Sequence, residues 1–196
     1  MLVYNGHETM CRYLRANQLE TGVIEYLRKT VRPGEWVADF GAHVGFYTCL
    51  LAVLVGSRGR VFAFEPETQH ATACALNVAR NRYGNVTVFA AAVGGTTAIV
   101  PFPVGFCGTG IPGVGELRCW QVRVGDVLGR LDGFKMDTQG SEANILGGFG
   151  GLLDAVRWGV IENHNDGDFD RVMAEHGLPR VGDVNNAQRF FERQNV

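Results

Sequence analysis

Four short segments hold the residues of this sequence that are equipped for chemistry. The first is VADFGAHVGFYT, Val37 to Thr48, where an apolar run ends in Asp39 and passes through Gly41, Ala42, His43 and Gly45 into a second apolar run. Glycines at such a turn let backbone approach a ligand closely, and a helix starting behind it aims N–H groups at the same place. The second segment is VFAFEP, Val61 to Pro66, whose Glu65 lies 26 positions beyond Asp39. At the end of the next strand, an acid at that distance can accept both hydroxyls of a ribose. The third and fourth, KMDTQGSE (Lys135 to Glu142) and IENH (Ile161 to His164), contribute Asp137, Glu162 and His164. These side chains can take a proton from an attacking nucleophile, and histidine has the ordinary pKa nearest neutrality, about 6.5. His164 or Asp137 is the expected base, with Glu162 orienting its partner.

The first turn lacks G-x-G-x-x-G, since Gly41 is followed by Ala42, His43 and Val44, and this argues against a nicotinamide dinucleotide. A literal match at Gly108 to Gly113 contains Pro112 and precedes no helical pattern, so it reads as a loop. Glu162 to Met173 has the glycine of a calcium loop but Met173 where a bidentate glutamate is required. His70 and His176 fall on helical patterns and are expected to be solvated. Glu142 reads as a first-turn helix acid or a brace to a neighbouring loop.

The elements that must position these residues alternate. Residues 18 to 30 read as a helix stopped by Pro33-Gly34, followed by a strand from Trp36 to Phe40 and an apolar helix from Val44 to Val55. Then come a strand from Arg60 to Phe64, a helix from Glu67 to Arg82 with Ala73, Ala75, Leu76 and Val78 inward, and a strand from Val86 to Ala91. Strands apolar on both faces between helices predict a parallel sheet covered on each side. In the second half, Phe134 to Asp137 and Trp158 to Glu162 read as strands, with helices from Ser141 and from Asp168 to His176. Pro179 to Val184 and Gln188 to Glu192 read as a terminal antiparallel pair. Thr97 to Phe102 and Leu117 to Arg123 are predicted as extra strands, with an edge able to pair with another chain, around a glycine-rich loop from Pro103 to Gly115. That loop is the expected acceptor site.

On these motifs the chain resembles the FkbM-like family of class I S-adenosylmethionine-dependent methyltransferases. The resemblance rests on DFGAHVGFYT (Asp39 to Thr48), FEP (Phe64 to Pro66), AAVG (Ala91 to Gly94), KMDTQGSE and IENH, and spans about residues 20 to 192. It implies a Rossmann-like α/β fold, with a mostly parallel seven-stranded sheet, a C-terminal antiparallel pair and helices on both faces. It implies cofactor contacts from Asp39, Gly41, Gly45 and Glu65, joined here by Ala42, His43, Pro66 and the backbone near Ala92, and it places Asp137 beside the transferable methyl. His43 stands where the family has asparagine, Gln139 and Ser141 stand where it has glutamate and alanine, and Ala91-Ala92 offer no acid to the adenine amino group.

The implied reaction is O-methylation of a hydroxyl on a small molecule or sugar. An adenosyl-binding module without activity, or a nicotinamide-dependent oxidoreductase, would share parts of the pattern. Asp137 and Glu162-Asn163 also resemble the acid, acid-amide set with which catechol-type O-methyltransferases hold Mg²⁺, an arrangement less favoured here than a metal-free site.

Composition sets the outer bounds. The 196 residues are 46% hydrophobic, with 27 glycines and a net charge of −2, which predicts a folded chain without the basic surplus of a non-specific nucleic-acid binder. Sixteen of the 18 basic residues are arginine, and no function follows from that. Five cysteines (Cys11, Cys49, Cys74, Cys107, Cys119) without a C-x-x-C form neither a zinc ribbon nor a disulfide framework, so a reducing cytoplasm is expected. Glu8, Arg12 and Arg15 break any signal-peptide core, and the stretch from Phe40 to Gly56 is too short for a membrane span of roughly 20 residues. One domain is expected, organised as an N-terminal helical segment (1–33), a cofactor-binding half (34–95), a variable insertion with the acceptor loop (96–123) and a catalytic half (124–196).

Overall fold

A computed structural model describes residues 20–102, 117–164, 169–184 and 187–194. The segment from Pro103 to Gly115 assigned to the acceptor, the start of the first helix, Asp168, and Cys11 and Cys107 lie outside them. Helix α1 (Thr21–Thr30) is followed by β1 (Trp36–Phe40), α2 (Phe46–Val55), β2 (Arg60–Phe64), α3 (Thr68–Arg80) and β3 (Val86–Phe89). Strands β4 (Ala92–Gly94), β5 (Ala98–Phe102) and β6 (Leu117–Arg123) come next, then the short helix α4 (Val124–Val127) and β7 (Gly133–Met136). Helix α5 (Glu142–Gly147), a 3-10 turn (Gly150–Ala155), β8 (Trp158–Glu162), α6 (Phe169–Glu175), β9 (Arg180–Val184) and β10 (Gln188–Glu192) complete the chain.

The main sheet has seven strands in the order β3-β2-β1-β7-β8-β10-β9. Its first five strands are parallel, and β10 pairs antiparallel with both β8 and β9. The order reverses direction between β1 and β7, and ligands of such sheets bind beyond the strand ends at that switch point. The two expected insertion strands, β5 and β6, form a separate sheet with a third strand that the sequence did not predict, β4, in the order β4-β6-β5.

Alternation along each strand divides the core in two. Val37, Val61, Trp158, Val160 and Phe190 turn to the face covered by α1 and α2, against Val23, Leu27, Leu51 and Val55. Ala38, Phe40, Phe64, Phe134 and Met136 turn to the other, against Ile145, Phe149, Phe169 and Met173. Asp39, Lys135 and Glu162 share the parity of the first set. They therefore emerge on the α1 and α2 face, at the upper rim of the sheet.

Three expectations are corrected. In α3, Ala75 and Leu76 are exposed, and the buried row is His70, Ala71, Ala73, Cys74, Asn77 and Val78. The helix thus buries a stripe containing two polar residues, a pairing that a hydrophobic pattern does not display. His70 is accordingly fully buried, its ring tilted against that of His43 with centroids 4.1 Å apart and its Nδ1 3.1 Å from Glu67. His176 falls just past α6, partly exposed and paired with Asp154 at 2.6 Å. The third strand ends at Phe89 rather than Ala91, because Ala92 begins β4 and pairs in register with Gln121.

Candidate active site

The turn after β1 is built by close approach. Gly41 (φ +80°) lies where a Cβ would meet the Asp137 carbonyl oxygen at 1.9 Å, so a side chain there is excluded by both conformation and space. That contact accompanies a hydrogen bond from the Asp137 N–H to the Phe40 carbonyl at 2.9 Å, which holds the ends of β1 and β7 together. Gly45 (φ +86°) caps α2, and a Cβ there would strike Cys74 Sγ at 2.7 Å. From α3, Asn77 Nδ2 donates to the Val44 carbonyl at 2.8 Å and pins the same turn from below.

The amides of this turn face inward rather than toward a ligand. Gly41 and Ala42 N–H both donate to the Phe64 carbonyl at 3.0 Å, and Gly45 N–H donates to Ala42 at 2.8 Å. His43 N–H donates to Glu65 Oε2 at 2.8 Å, and His43 itself takes a left-handed conformation (φ 50°) to do so. The N–H groups expected to meet the cofactor at these four positions are therefore engaged by the protein. What the turn supplies instead is shape and an acceptor. Asp39 is buried, Thr48 Oγ1 donates to its Oδ2 at 2.6 Å, and its Oδ1 has no hydrogen-bond partner among the described residues.

Burial raises the Asp39 carboxyl above its ordinary value, against the pull of Lys135 and Thr48. A cationic amino group brought to Oδ1 would both satisfy that oxygen and restore the ionised form. This fits the amino-acid end of S-adenosylmethionine and not the pyrophosphate of a dinucleotide, which needs donors. Glu65, at the end of β2, accepts from His43 N–H and, through Oε1, from Glu67 N–H at 2.9 Å. Burial pushes its carboxyl up to about 7, with the two amide bonds opposing. Pro66, partly buried, follows it, and Ala92, also partly buried, lies just beyond the Ala90-Ala91 bend.

Beyond β7 and β8 the site is made of side chains. Lys135 is buried at 4% exposure, with its ammonium 3.3 Å from Asp137 Oδ2 and 4.7 Å above the Tyr47 ring. Burial pulls Lys135 down, but Asp137, and Asp39 after it, more than offset this and leave it above its ordinary value. Burial would raise Asp137, yet Lys135, a hydrogen bond with Glu162 and His164 together outweigh it and hold the carboxyl below its ordinary value. Glu162 goes the other way, pushed up to about 8 by burial and then by the Asp137 charge. The two carboxyls are thus driven apart, Asp137 toward its ionised form and Glu162 toward its protonated one. Tyr47 donates to Glu20, which also accepts from Gln188 Nε2 at 2.7 Å, and this closes the α1 side of the cleft.

His164 joins the pair, with Nε2 3.6 Å from Asp137 Oδ1 and 3.8 Å from Glu162 Oε1. One atom from each of the three residues lies within 4.8 Å of the others, close enough to share a metal ion. Sequence reasoning had grouped these three; it had not found Lys135, Gln139 or Tyr47. Gln139, left-handed at φ 55°, donates to Asp137 Oδ1 at 2.9 Å. The strand parity of Lys135 with Asp137 was a signal available for the first of these, whereas Tyr47 and Gln139 reach the site only through the docking of α2 and the turn after β7.

Comparison with known proteins agrees with this geometry. Residues 9–128, more than half of the chain, match the family model described as protein-L-isoaspartate(D-aspartate) O-methyltransferase. No curated protein sequence matches. Among solved structures, the methyltransferase FkbM from Methylobacillus flagellatus KT superposes with a TM-score of 0.64 at 18% identity, covering 86% of this chain and 50% of its own, so this chain spans half the length of that protein. An rRNA methylase from Streptococcus thermophilus gives 0.54 at 12% identity, covering 89% of this chain and 95% of its own. Aeropyrum pernix fibrillarin, natively bound to S-adenosyl-L-methionine, gives 0.55 at 11% identity, covering 87% and 73%. At these identities the structural likeness is one of fold. With its sheet order, the inward-turned glycine loop and the matched family model, the chain belongs to the protein-L-isoaspartate(D-aspartate) O-methyltransferase family of class I S-adenosylmethionine-dependent methyltransferases, with an FkbM-like Rossmann fold.

Proposed function

We propose that the protein transfers a methyl group from S-adenosylmethionine to a hydroxyl of a small molecule or sugar. The observation that carries this reading is the meeting of Asp137, Glu162 and His164 at the strand ends beside the cofactor turn. The cofactor supplies a methyl already activated on a sulfonium. Asp39 would receive its amino group, Glu65 the ribose hydroxyls, and the Gly41 to Gly45 turn with Pro66 and the Ala90 to Ala92 bend its remaining contour.

An in-line displacement needs mainly alignment, a proximity effect that supplies roughly 7–11 kcal/mol. S-adenosylmethionine bound there would supply the methyl, its sulfur keeping the electron pair of the broken carbon–sulfur bond as the acceptor oxygen bonds to carbon, and His164 Nε2 would take the hydroxyl proton. Asp137 is the second candidate for that proton, but Lys135 and Gln139 already draw on its charge and make it the weaker base. Glu162, driven toward its protonated form, orients Asp137 rather than accepting a proton.

The family description names an isoaspartyl carboxyl as acceptor. Here the ionised Asp137 would repel a carboxylate, and a net charge of −2 gives no general attraction for nucleic-acid phosphates. A neutral hydroxyl suits the site better. Magnesium on Asp137 and Glu162 is disfavoured because the Lys135 ammonium already lies 3.3 Å from Asp137 and supplies the neutralising charge.

Incubation with S-adenosylmethionine and a panel of sugars, phenols, isoaspartyl peptides and RNA tests the reading. Formation of S-adenosylhomocysteine with a hydroxyl acceptor is expected. Binding without turnover of any acceptor would leave an inactive adenosyl-binding module.

A further inference from the structure

We propose that Glu142 is a positioning residue that fixes the proton of His164 on Nδ1 and so leaves Nε2 as the proton acceptor; this rests on the reading of His164 as the base. Glu142 opens α5 and is buried at 1% exposure. Its Oε1 accepts from Thr138 N–H at 3.2 Å, Thr138 Oγ1 at 3.2 Å and Gly140 N–H at 3.1 Å. The same oxygen lies 3.3 Å from His164 Nδ1.

An oxygen that receives three N–H and O–H donors holds no proton of its own, and an ionised carboxylate is an acceptor only. The imidazole must therefore be the donor in the fourth contact. A neutral ring has one N–H, so placing it on Nδ1 puts the lone pair on Nε2. That nitrogen lies on the side of Asp137 and Glu162, 3.6 Å from the first and 3.8 Å from the second, beyond hydrogen-bond distance from either. An acceptor hydroxyl could approach Nε2 without displacing an existing bond. When the proton arrives, the buried carboxylate also stabilises the imidazolium that forms, the division of labour in which a carboxylate orients a histidine base without being protonated.

Glu142 also ties Thr138 and Gly140 together, so loss of activity alone would not separate positioning from bracing of the turn. Histidine ¹⁵N NMR does, because it reads the tautomer directly and requires no turnover. His164 is expected as the Nδ1–H form in the native protein and in Glu142→Gln, whose amide oxygen can take the same place. In Glu142→Ala the ring should revert mainly to the Nε2–H form, the one favoured by free imidazole side chains in water.

With an accepted substrate, kcat should fall about 100-fold in Glu142→Ala and about tenfold in Glu142→Gln, with KM for S-adenosylmethionine within about twofold. The double variant Glu142→Ala/His164→Ala should be no slower than His164→Ala alone. An Nε2–H tautomer in the native protein overturns the inference, as does a loss from Glu142→Ala that is equally large in the His164→Ala background. Should Glu142→Ala not fold, as judged by loss of the thermal shift with S-adenosylhomocysteine, the native and Glu142→Gln tautomers decide. A correct tautomer without methylation of any acceptor would count against the proposed reaction alone.

Discussion

On the β1 and β2 side of the cleft the backbone does the shaping, while on the β7 and β8 side the side chains do. The turn from Gly41 to Gly45 directs its amides into the protein and lets strand ends touch, so its form depends on residues that have no side chain to adjust. On the other side, the charged and ionisable groups of Lys135, Asp137, Glu142, Glu162 and His164 lie 3.3–3.8 Å from one another, close enough for a gained or lost proton to be felt by the rest. The first side is suited to holding one invariant ligand rigidly. The second is suited to chemistry, because a proton can move there without any backbone change.

That division can be broken most severely where the two sides touch. Gly41→Ala puts a methyl 1.9 Å from the Asp137 carbonyl in a left-handed conformation. We expect a loss of about 4 kcal/mol or more, from backbone strain of about 1–3 kcal/mol plus the clash, and a melting temperature lower by roughly 10 °C. Gly34→Ala is the control, since it shares a positive φ of +90° but a Cβ would meet nothing within 4 Å. It should cost only about 1–2 kcal/mol by thermal denaturation.

Next in size is a pair of opposite effects. Glu65→Ala should weaken S-adenosylhomocysteine binding about 100-fold by calorimetry, as two hydrogen bonds to a charged group are lost at about 1.5 kcal/mol or more each. His164→Ala should leave that affinity within about twofold and lower kcat about 100-fold, a typical contribution of a general base. If either variant showed both effects, the two sides would not be separable.

Proton linkage gives a smaller effect with a defined sign. Glu65 is raised to about 7 in the ligand-free protein, and ribose hydroxyls donate to its ionised form. Binding therefore expels a proton, and affinity for S-adenosylhomocysteine should fall about tenfold for each pH unit below about 7, then level off above it. Stability of the ligand-free protein runs the other way. Glu65 and Glu162, raised from 4.5 to about 7 and about 8, bind protons more tightly in the fold, so their contribution is full below about 4.5 and is lost as pH rises through 7 and 8. Glu65→Gln should flatten the affinity profile and leave in the stability profile only the loss through about 8 that belongs to Glu162.

The smallest expected effect is that of chelation. Activity with a hydroxyl acceptor should stay within about twofold in excess EDTA, because Lys135 provides the charge a metal would bring to Asp137. Loss of activity restored by Mg²⁺ or Mn²⁺ would instead assign Asp137, Glu162 and His164 as ligands.

Much of the fold was legible in the sequence because it depends on local patterns. Largely apolar runs such as Trp36 to Phe40 and Trp158 to Glu162 have the bounds observed, since a strand covered on both faces is mostly apolar and places its acids near the end that meets the site. The glycine turn was legible for a similar reason, as Gly41 and Gly45 answer a backbone requirement that no other residue meets well. Errors arose where burial is set by a partner. Leu76 reads as core by composition yet is 48% exposed, while His70 and Asn77, polar by composition, are buried against the turn that follows β1.

The sequence by itself determined the order along the chain of the main-sheet strands and the helices between them, the acidic ends of those strands and the turn after β1, because each depends on a few neighbouring residues. Only the tertiary structure decided that the turn spends its amides inward, that β4, β5 and β6 form a sheet of their own, and that Glu142 meets His164. Those outcomes depend on the register between strands distant in the chain, such as Met136 beside Ile161, and on which polar groups satisfy one another once water is excluded.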